Sequence, residues 1–221
     1  MTFYLVATPI GNLHDMSERA KATLASVHTI LCEDTRVTHK LLENTKISTP
    51  HLVSYHQHSD TQKFNHIVRL IEDGHDLALV TDAGTPGISD PGGQLVEALV
   101  KRFGGSLAIV PIPGPSALIC ALSASGMPAD KFVFLGFPPI KNGRQKFFDH
   151  LADFDLTIVF YESTHRILKT LGELDKRFPD RKVVVCRELT KLHETIYRGT
   201  AAEVTKQLGS TSIKGEFVVV L

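Results

Sequence analysis

The sequence has no tryptophan, little cysteine and no surplus charge of either sign. Its three cysteines, Cys32, Cys120 and Cys186, lie far apart, each in or beside an apolar stretch, and none forms a Cys-x-x-Cys pair. That spacing fits buried free thiols in a reducing compartment and offers neither a disulfide framework nor a zinc-ribbon pattern. Lysine and arginine total 24, aspartate and glutamate also 24, so the formal net charge is zero. General nucleic-acid binders attract phosphate through a basic whole-molecule field; this chain lacks one, and any RNA contact has to use a local patch. No apolar run approaches the roughly 20 residues of a membrane helix. The start, MTFYLVATPI, lacks the basic region, long apolar core and cleavage site of a signal peptide, so a cytoplasmic protein with no membrane partner is expected. There is also no G-x-G-x-x-G fingerprint, Walker A lysine motif or G-x-S-x-G elbow, which removes the usual support for nicotinamide, nucleoside-triphosphate and serine-hydrolase chemistry.

What is present reads as an α/β protein. At 221 residues, 43% hydrophobic and 22% charged, the chain has an ordinary globular composition and enough length for two domains. In the first half, short apolar runs bounded by Gly, Pro and Asp alternate with helix-period segments, the pattern of a parallel sheet covered on both faces. Strands are predicted over 3–8, 29–32, 76–81 and 106–111, with helices over 17–26, 35–44, 60–73 and 92–103; Ser17 serves as an N-cap and Gly74 as a stop. The turn-rich stretch from Pro111 to Ser116 marks the boundary between an N-terminal domain, 1–112, and a C-terminal domain, 113–221. The second half predicts helices over 115–125, 142–151, 165–178 and 200–208. Its strands fall over 132–136, 157–161, 182–187, 194–199 and 215–221, in a mixed sheet.

Several loops at predicted strand ends, where open α/β sheets take their ligands, carry residues suited to chemistry. Thr8-Pro9-Ile10-Gly11-Asn12 lets backbone approach a ligand, and serves equally as a tight turn. Asp82-Ala83-Gly84-Thr85-Pro86 adds a carboxylate acceptor to small residues. Pro113-Gly114-Pro115-Ser116-Ala117 prepares a helix start with free amides, and is also a fitting linker. Three charged clusters, Glu33 to Arg36, Tyr161 to Arg166 and Arg187 to Lys191, offer acids, bases and phosphate clamps; solvated faces and helix caps use the same residues. His51, His56 and His58 suggest metal ligation, but no acidic or cysteine partners complete a tetrahedral set, and a polar loop without metal is expected.

Read together, TPIGNL (8–13), EDTR (33–36), DAGTPGISDPG (82–92), PGPSA (113–117), YESTHR (161–166) and RELTK (187–191) resemble the ordered motif set of the ribosomal small subunit methyltransferase I family, in the tetrapyrrole methylase superfamily. The resemblance spans essentially the whole chain. It implies a tetrapyrrole-methylase-like fold, two α/β domains with the cofactor cleft between them, and usually a homodimer. The implied activity is 2′-O-methylation of a cytidine in 16S ribosomal RNA of the small ribosomal subunit, with S-adenosylmethionine as cofactor. Carried over by motif, Pro9, Ile10, Gly11, Asp82, Ala83, Gly84, Thr85, Ser116, Ala117 and Tyr161 bind the cofactor. Glu33, Glu162, His165, Glu188 and Lys191 are the candidates for a catalytic base, and Arg36, Arg166 and Arg187 for RNA contacts.

The resemblance departs in two places. Members of the family commonly continue into a small C-terminal domain, so a trimmed or short chain is expected here, with reduced RNA affinity. Thr164 also stands where the motif has proline. A tetrapyrrole C-methyltransferase is the enzymatic rival, but TPIGN replaces the G-x-G-x-G-D first loop of those enzymes. A noncatalytic RNA-binding assembly factor is the rival of another class. Zero net charge favours docking on the assembled subunit over naked RNA.

Overall fold

The computed structural model describes residues 1–48, 50–56, 61–90 and 92–221. The chain divides into two compact units, Met1–Ser116 and Ala117–Leu221.

In unit 1, five strands alternate with four helices: β1 (Thr2–Val6), α1 (Glu18–Ser26), β2 (Thr29–Cys32), α2 (Thr35–Asn44), β3 (His51–Ser54), α3 (Thr61–Glu72), β4 (Leu77–Leu79), α4 (Gly92–Phe103) and β5 (Ala108–Ile112). All pairings are parallel, in the order β3-β2-β4-β1-β5. The chain moves one way along the sheet from β1 to β3, then back through β4 to β5. Parallel crossovers are right-handed, so the two directions of travel send their helices to opposite faces. Residue packing follows. Ala20, Leu24 and Leu42 from α1 and α2 meet Val6, Ile30, Cys32, Ala78 and Val80 on one face. Ile67, Ile71, Leu95 and Leu99 from α3 and α4 meet Phe3, Leu31, Leu77 and Leu79 on the other. Strands buried on both sides have no polar face, which is why they read as unbroken apolar runs. Ser17 caps α1 by accepting from Ala20 N at 3.1 Å, and Asp34 caps α2 by accepting from Arg36 N at 2.8 Å.

Two corrections fall in this unit. The segment expected to be a polar loop around His51 holds strand β3, paired with β2 from Thr29↔His51 to Cys32↔Ser54. The strands expected to reach Thr8 and Thr81 end at Val6 and Leu79. His58 and the expected helix start at Asp60 lie outside the described residues.

Unit 2 comprises α5 (Ala117–Ser125), β6 (Phe132–Phe134), α6 (Arg144–His150), β7 (Thr157–Ser163), α7 (Ile167–Arg177), β8 (Lys182–Arg187), β9 (Thr195–Thr200), α8 (Ala201–Gly209) and β10 (Glu216–Val220). Its sheet is mixed, as expected: the order is β6-β7-β10-β8-β9, with β6 parallel to β7 and the other neighbours antiparallel. One face is packed by Phe148, Leu171, Leu174, Val204 and Leu208 from α6, α7 and α8 against Ile158, Phe160, Val185, Phe217 and Val219. α5 packs against β7 and β10. A capping box between Thr200 and Glu203 opens α8. β7 runs two residues past its expected end at Tyr161, because β10 continues to pair with it through Glu216↔Ser163. Glu162 and Ser163 are therefore strand residues and not loop. Among the described residues no helix is long and apolar enough to cross a membrane.

Candidate active site

Because every strand of unit 1 points the same way, the segments that follow β1, β2, β4 and β5 open at one edge of the sheet. Two of them are paired by backbone: Thr8 N donates to Gly84 O at 2.9 Å and Gly84 N to Thr8 O at 3.1 Å. Thr8 Oγ1 adds a bond to Thr81 O at 3.0 Å, and Thr85 Oγ1 donates to Pro115 O at 3.2 Å, which brings the segment after β5 into the same group. Gly114 makes this approach possible, since a Cβ there would stand 2.9 Å from the Ala7 Cβ. Ile10 is buried, and a Cβ on Gly84 would touch its Cγ2 at 3.5 Å. Pro9, Ile10, Gly11, Asp82, Ala83, Gly84, Thr85 and Ser116 thus belong to one rim of short, closely packed backbone.

The rim is acidic. Asp82 Oδ1 accepts from Asp34 N at 3.3 Å, and Thr81 Oγ1 donates to Glu33 Oε2 at 3.4 Å. Asp90 Oδ1 ties a turn by accepting from Gly87 N at 2.8 Å and Gly92 N at 2.7 Å. Its Oδ2 is buried with no hydrogen-bond partner among the described residues. Partial burial, then the charges of Asp82 and Asp90, push the Glu33 carboxyl above its usual range; the Thr81 hydroxyl and His56 pull the other way. Asp82 is raised by burial and by Asp34, against the Asp34 amide. Asp34 goes down, to about 2, because Arg36 clamps it in two bonds, Nε to Oδ1 at 3.0 Å and Nη2 to Oδ2 at 2.6 Å. The Arg36 side chain is 89% exposed, so its guanidinium stays open to solvent while its position is set.

The expected site residues of unit 2 have different environments. Glu162 is 2% exposed, and both its oxygens are engaged. Oε1 accepts from Ser163 N at 2.7 Å and pairs with Arg166 Nε at 2.9 Å. Oε2 accepts from Thr170 Oγ1 at 2.5 Å and faces Arg144 Nη2 at 3.7 Å. Arg144 Nη2 also donates to Thr170 Oγ1 at 2.6 Å, closing a buried network. Both oxygens of this carboxylate are thus taken up by neighbouring side chains and backbone. Arg166 donates to Ser163 Oγ at 3.0 Å and Pro138 O at 2.8 Å, and the buried Arg187 donates to Lys214 O at 2.7 Å and His193 O at 3.3 Å. Each of these two guanidiniums thus spends its Nε and Nη1 donors on the fold.

Lys191 pairs with Glu188 at 3.0 Å and Glu216 at 2.9 Å. Burial alone lowers its pKa, but those two carboxylates outweigh burial and hold the ammonium above its usual value. Burial likewise pushes Glu188 up, while the Glu216 amide, Lys191 and Arg187 leave it below the carboxylate norm. The loop that carries both residues is a built turn, with Glu188 and Thr190 at φ of 53° and 67° and Thr190 N donating to Glu194 Oε2 at 2.6 Å. Ala117 opens α5, and His165 is exposed. Tyr161 is half-buried between Phe134 and Phe137; burial raises its phenol, against a hydrogen bond from the Leu118 backbone. Thr164, the departure from the motif, accepts from Gly215 N at 2.7 Å and donates to Gly215 O at 2.5 Å, two bonds that proline cannot make.

Sequence reasoning missed Arg144 and Thr170; Thr81 and Asp90 fell within the loops it singled out, without a role of their own. Asp90 carried a local signal, an acidic residue two positions before a glycine-led helix. Arg144 and Thr170 carried none, because a buried ion network is assembled from residues distant in sequence.

Residues 2–205 match the family model of tetrapyrrole (corrin/porphyrin) methylases. The chain is 46% identical to "Ribosomal RNA small subunit methyltransferase I" of Synechocystis sp., over 99% of this chain and 77% of that protein. It is 43% identical to the protein of the same name from Halalkalibacterium halodurans, over 100% of this chain and 75% of the relative. Among solved structures, a cobalt precorrin-4 methyltransferase of cobalamin biosynthesis superposes with a TM-score of 0.70 over 99% of this chain and 93% of its own, at 19% identity, a likeness of fold. The chain belongs to the tetrapyrrole methylase family, in its ribosomal RNA small subunit methyltransferase I branch.

Proposed function

We propose that this protein transfers a methyl group from S-adenosylmethionine to the ribose 2′-hydroxyl of a cytidine in small-subunit ribosomal RNA, on the assembled subunit. The observation that carries the reading is identity of 43–46% across the chain with relatives named for small-subunit ribosomal RNA methylation. The unit 1 rim suits the donor chemically. S-adenosylmethionine, when bound, supplies an electrophilic methyl group on a sulfonium, and it carries a second cation in its ammonium group. Asp82, Asp90 and Glu33 give that rim a negative potential, and the buried Asp90 Oδ2, without a hydrogen-bond partner among the described residues, is an acceptor suited to a donor group. Pro9 to Gly11, Ala83 to Thr85 and Ser116 are small or closely packed enough to admit a ligand against the backbone.

The chain's own task is alignment and proton removal. Holding the hydroxyl in line with the methyl carbon is worth about 7 to 11 kcal/mol in well-oriented reactions. Glu33 takes the ribose proton: of the expected bases it is the accessible carboxylate whose pKa is raised toward the working range. Arg36, exposed and held by Asp34, meets a substrate phosphate. Glu33→Gln is expected to lower kcat about 10²- to 10⁴-fold, to abolish the acid limb of the pH profile and to weaken donor binding far less than it lowers kcat, as measured by single-turnover transfer and calorimetry. Full activity in that variant removes Glu33 from the mechanism.

A further inference from the structure

Unit 2 holds a strongly basic stretch within a chain of zero net charge. From Lys131 to Phe148 the sequence carries no carboxylate, and its exposed cations are Lys131, Lys141 and Lys146, Arg144 being buried beside Glu162; Asp130 and Asp149 bound the stretch. At its centre, the loop between β6 and α6 shows two large apolar side chains to solvent, Phe137 at 51% and Ile140 at 70% exposure. An exposed aromatic beside an exposed aliphatic in a basic setting is the composition of a contact surface. The loop is also fixed from beneath. Arg166 Nη1 donates to Pro138 O at 2.8 Å and Arg144 Nη1 to Pro139 O at 3.1 Å. Both arginines converge on the buried Glu162. Buried ion networks add little net stability, so their value lies in what they position; here the positioned element is the backbone that carries Phe137. The Phe137 ring leans on Tyr161 with centroids 5.4 Å apart, and about half of its surface remains in solvent.

We infer that the Phe137–Lys141 loop is an RNA contact, in which Phe137 stacks on an unpaired base and Lys141 meets the neighbouring phosphate. The inference rests on the ribosomal RNA reading above. It supplies the local patch that a neutral protein needs to hold RNA. Stacking on an aromatic ring is tolerant of base identity, and a ring already held in place loses less freedom on binding than a mobile one. Arg144 and Arg166 contribute indirectly, as positioning residues.

The test uses the full chain and the variants Phe137→Ala, Phe137→Trp and Lys141→Ala. Binding to unmethylated small ribosomal subunits is measured across salt concentrations, with methyl transfer followed in parallel and donor binding as the folding control. Phe137→Ala is expected to weaken subunit binding about 10- to 100-fold, and Phe137→Trp to stay within about threefold of the parent. Lys141→Ala is expected to reduce the salt slope by about one phosphate contact. Unchanged binding in Phe137→Ala, or a loss that tryptophan does not restore, overturns the inference. So does a change of oligomeric state in place of RNA affinity, which marks a protein interface. If the parent binds subunits through Phe137 yet transfers no methyl group, the contact stands and the catalytic reading falls. If the parent does not bind subunits, both fall.

Discussion

Glu162 holds two guanidinium groups around one carboxylate in a place that water does not enter. Removing one member of such a group leaves the others charged, buried and unmatched, and typically costs about 3 to 5 kcal/mol. Glu162→Gln is therefore expected to lose stability on that scale in urea unfolding, and to free the Phe137 loop. A change below about 1 kcal/mol contradicts the anchoring role, since that is the range of exposed pairs. Glu33 is the opposite case: its carboxylate is exposed at the rim and its bond from the Thr81 hydroxyl is long, at 3.4 Å, so its substitution is expected to act on chemistry more than on folding. The two residues look alike in sequence, each a glutamate at the end of an apolar strand. What separates them is the burial contributed by Arg144 and Thr170, and no local pattern announces that burial. Lys191 follows the same logic, because its carboxylate partner Glu216 lies 25 positions away.

At the scale of elements, the strands and helices that a local signal defines were legible. α2 and α4 match their expected spans, and the caps Ser17 and Asp34 begin their helices where side-chain acceptors allow. β3 was not legible: its run His-Leu-Val-Ser is too short and too polar to stand out, and it becomes a strand only because β2 offers an edge. The end of β7 was likewise set by β10 and not by its own residues. At the start of β3 and just before β2 and β4, three histidines share one end of the sheet. His28 stacks on His75 at 3.8 Å and tilts toward His51 at 5.2 Å. Desolvation and the two neighbouring imidazoles lower the His28 pKa below 6.5. The unfolded chain then binds the proton more readily than the folded one. The His28 contribution to stability is complete above about pH 6.5 and is lost as pH falls through the lower folded value. Thermal unfolding between pH 7 and 5 is expected to show this loss, and His28→Asn to flatten it. Equal slopes in parent and variant contradict it.

For the whole molecule, neutral net charge conceals separation of sign, with an acidic rim in unit 1 that suits a cationic donor and a basic stretch in unit 2 that suits phosphate. The α/β class and the parallel-then-mixed sheets were visible in the rhythm of apolar runs. So were the loops of the unit 1 rim, because glycine, proline and aspartate at strand ends are local features. The division of labour among the charged residues was not, since it depends on which are buried together. The most direct test of the central claim is transfer of a labelled methyl group from S-adenosylmethionine to unmethylated small ribosomal subunits, naked ribosomal RNA and a tetrapyrrole precursor, followed by mass spectrometry of the nucleosides. The account predicts label in 2′-O-methylcytidine, strongest with assembled subunits; label on the tetrapyrrole, or none in RNA from a protein that binds the donor, contradicts it.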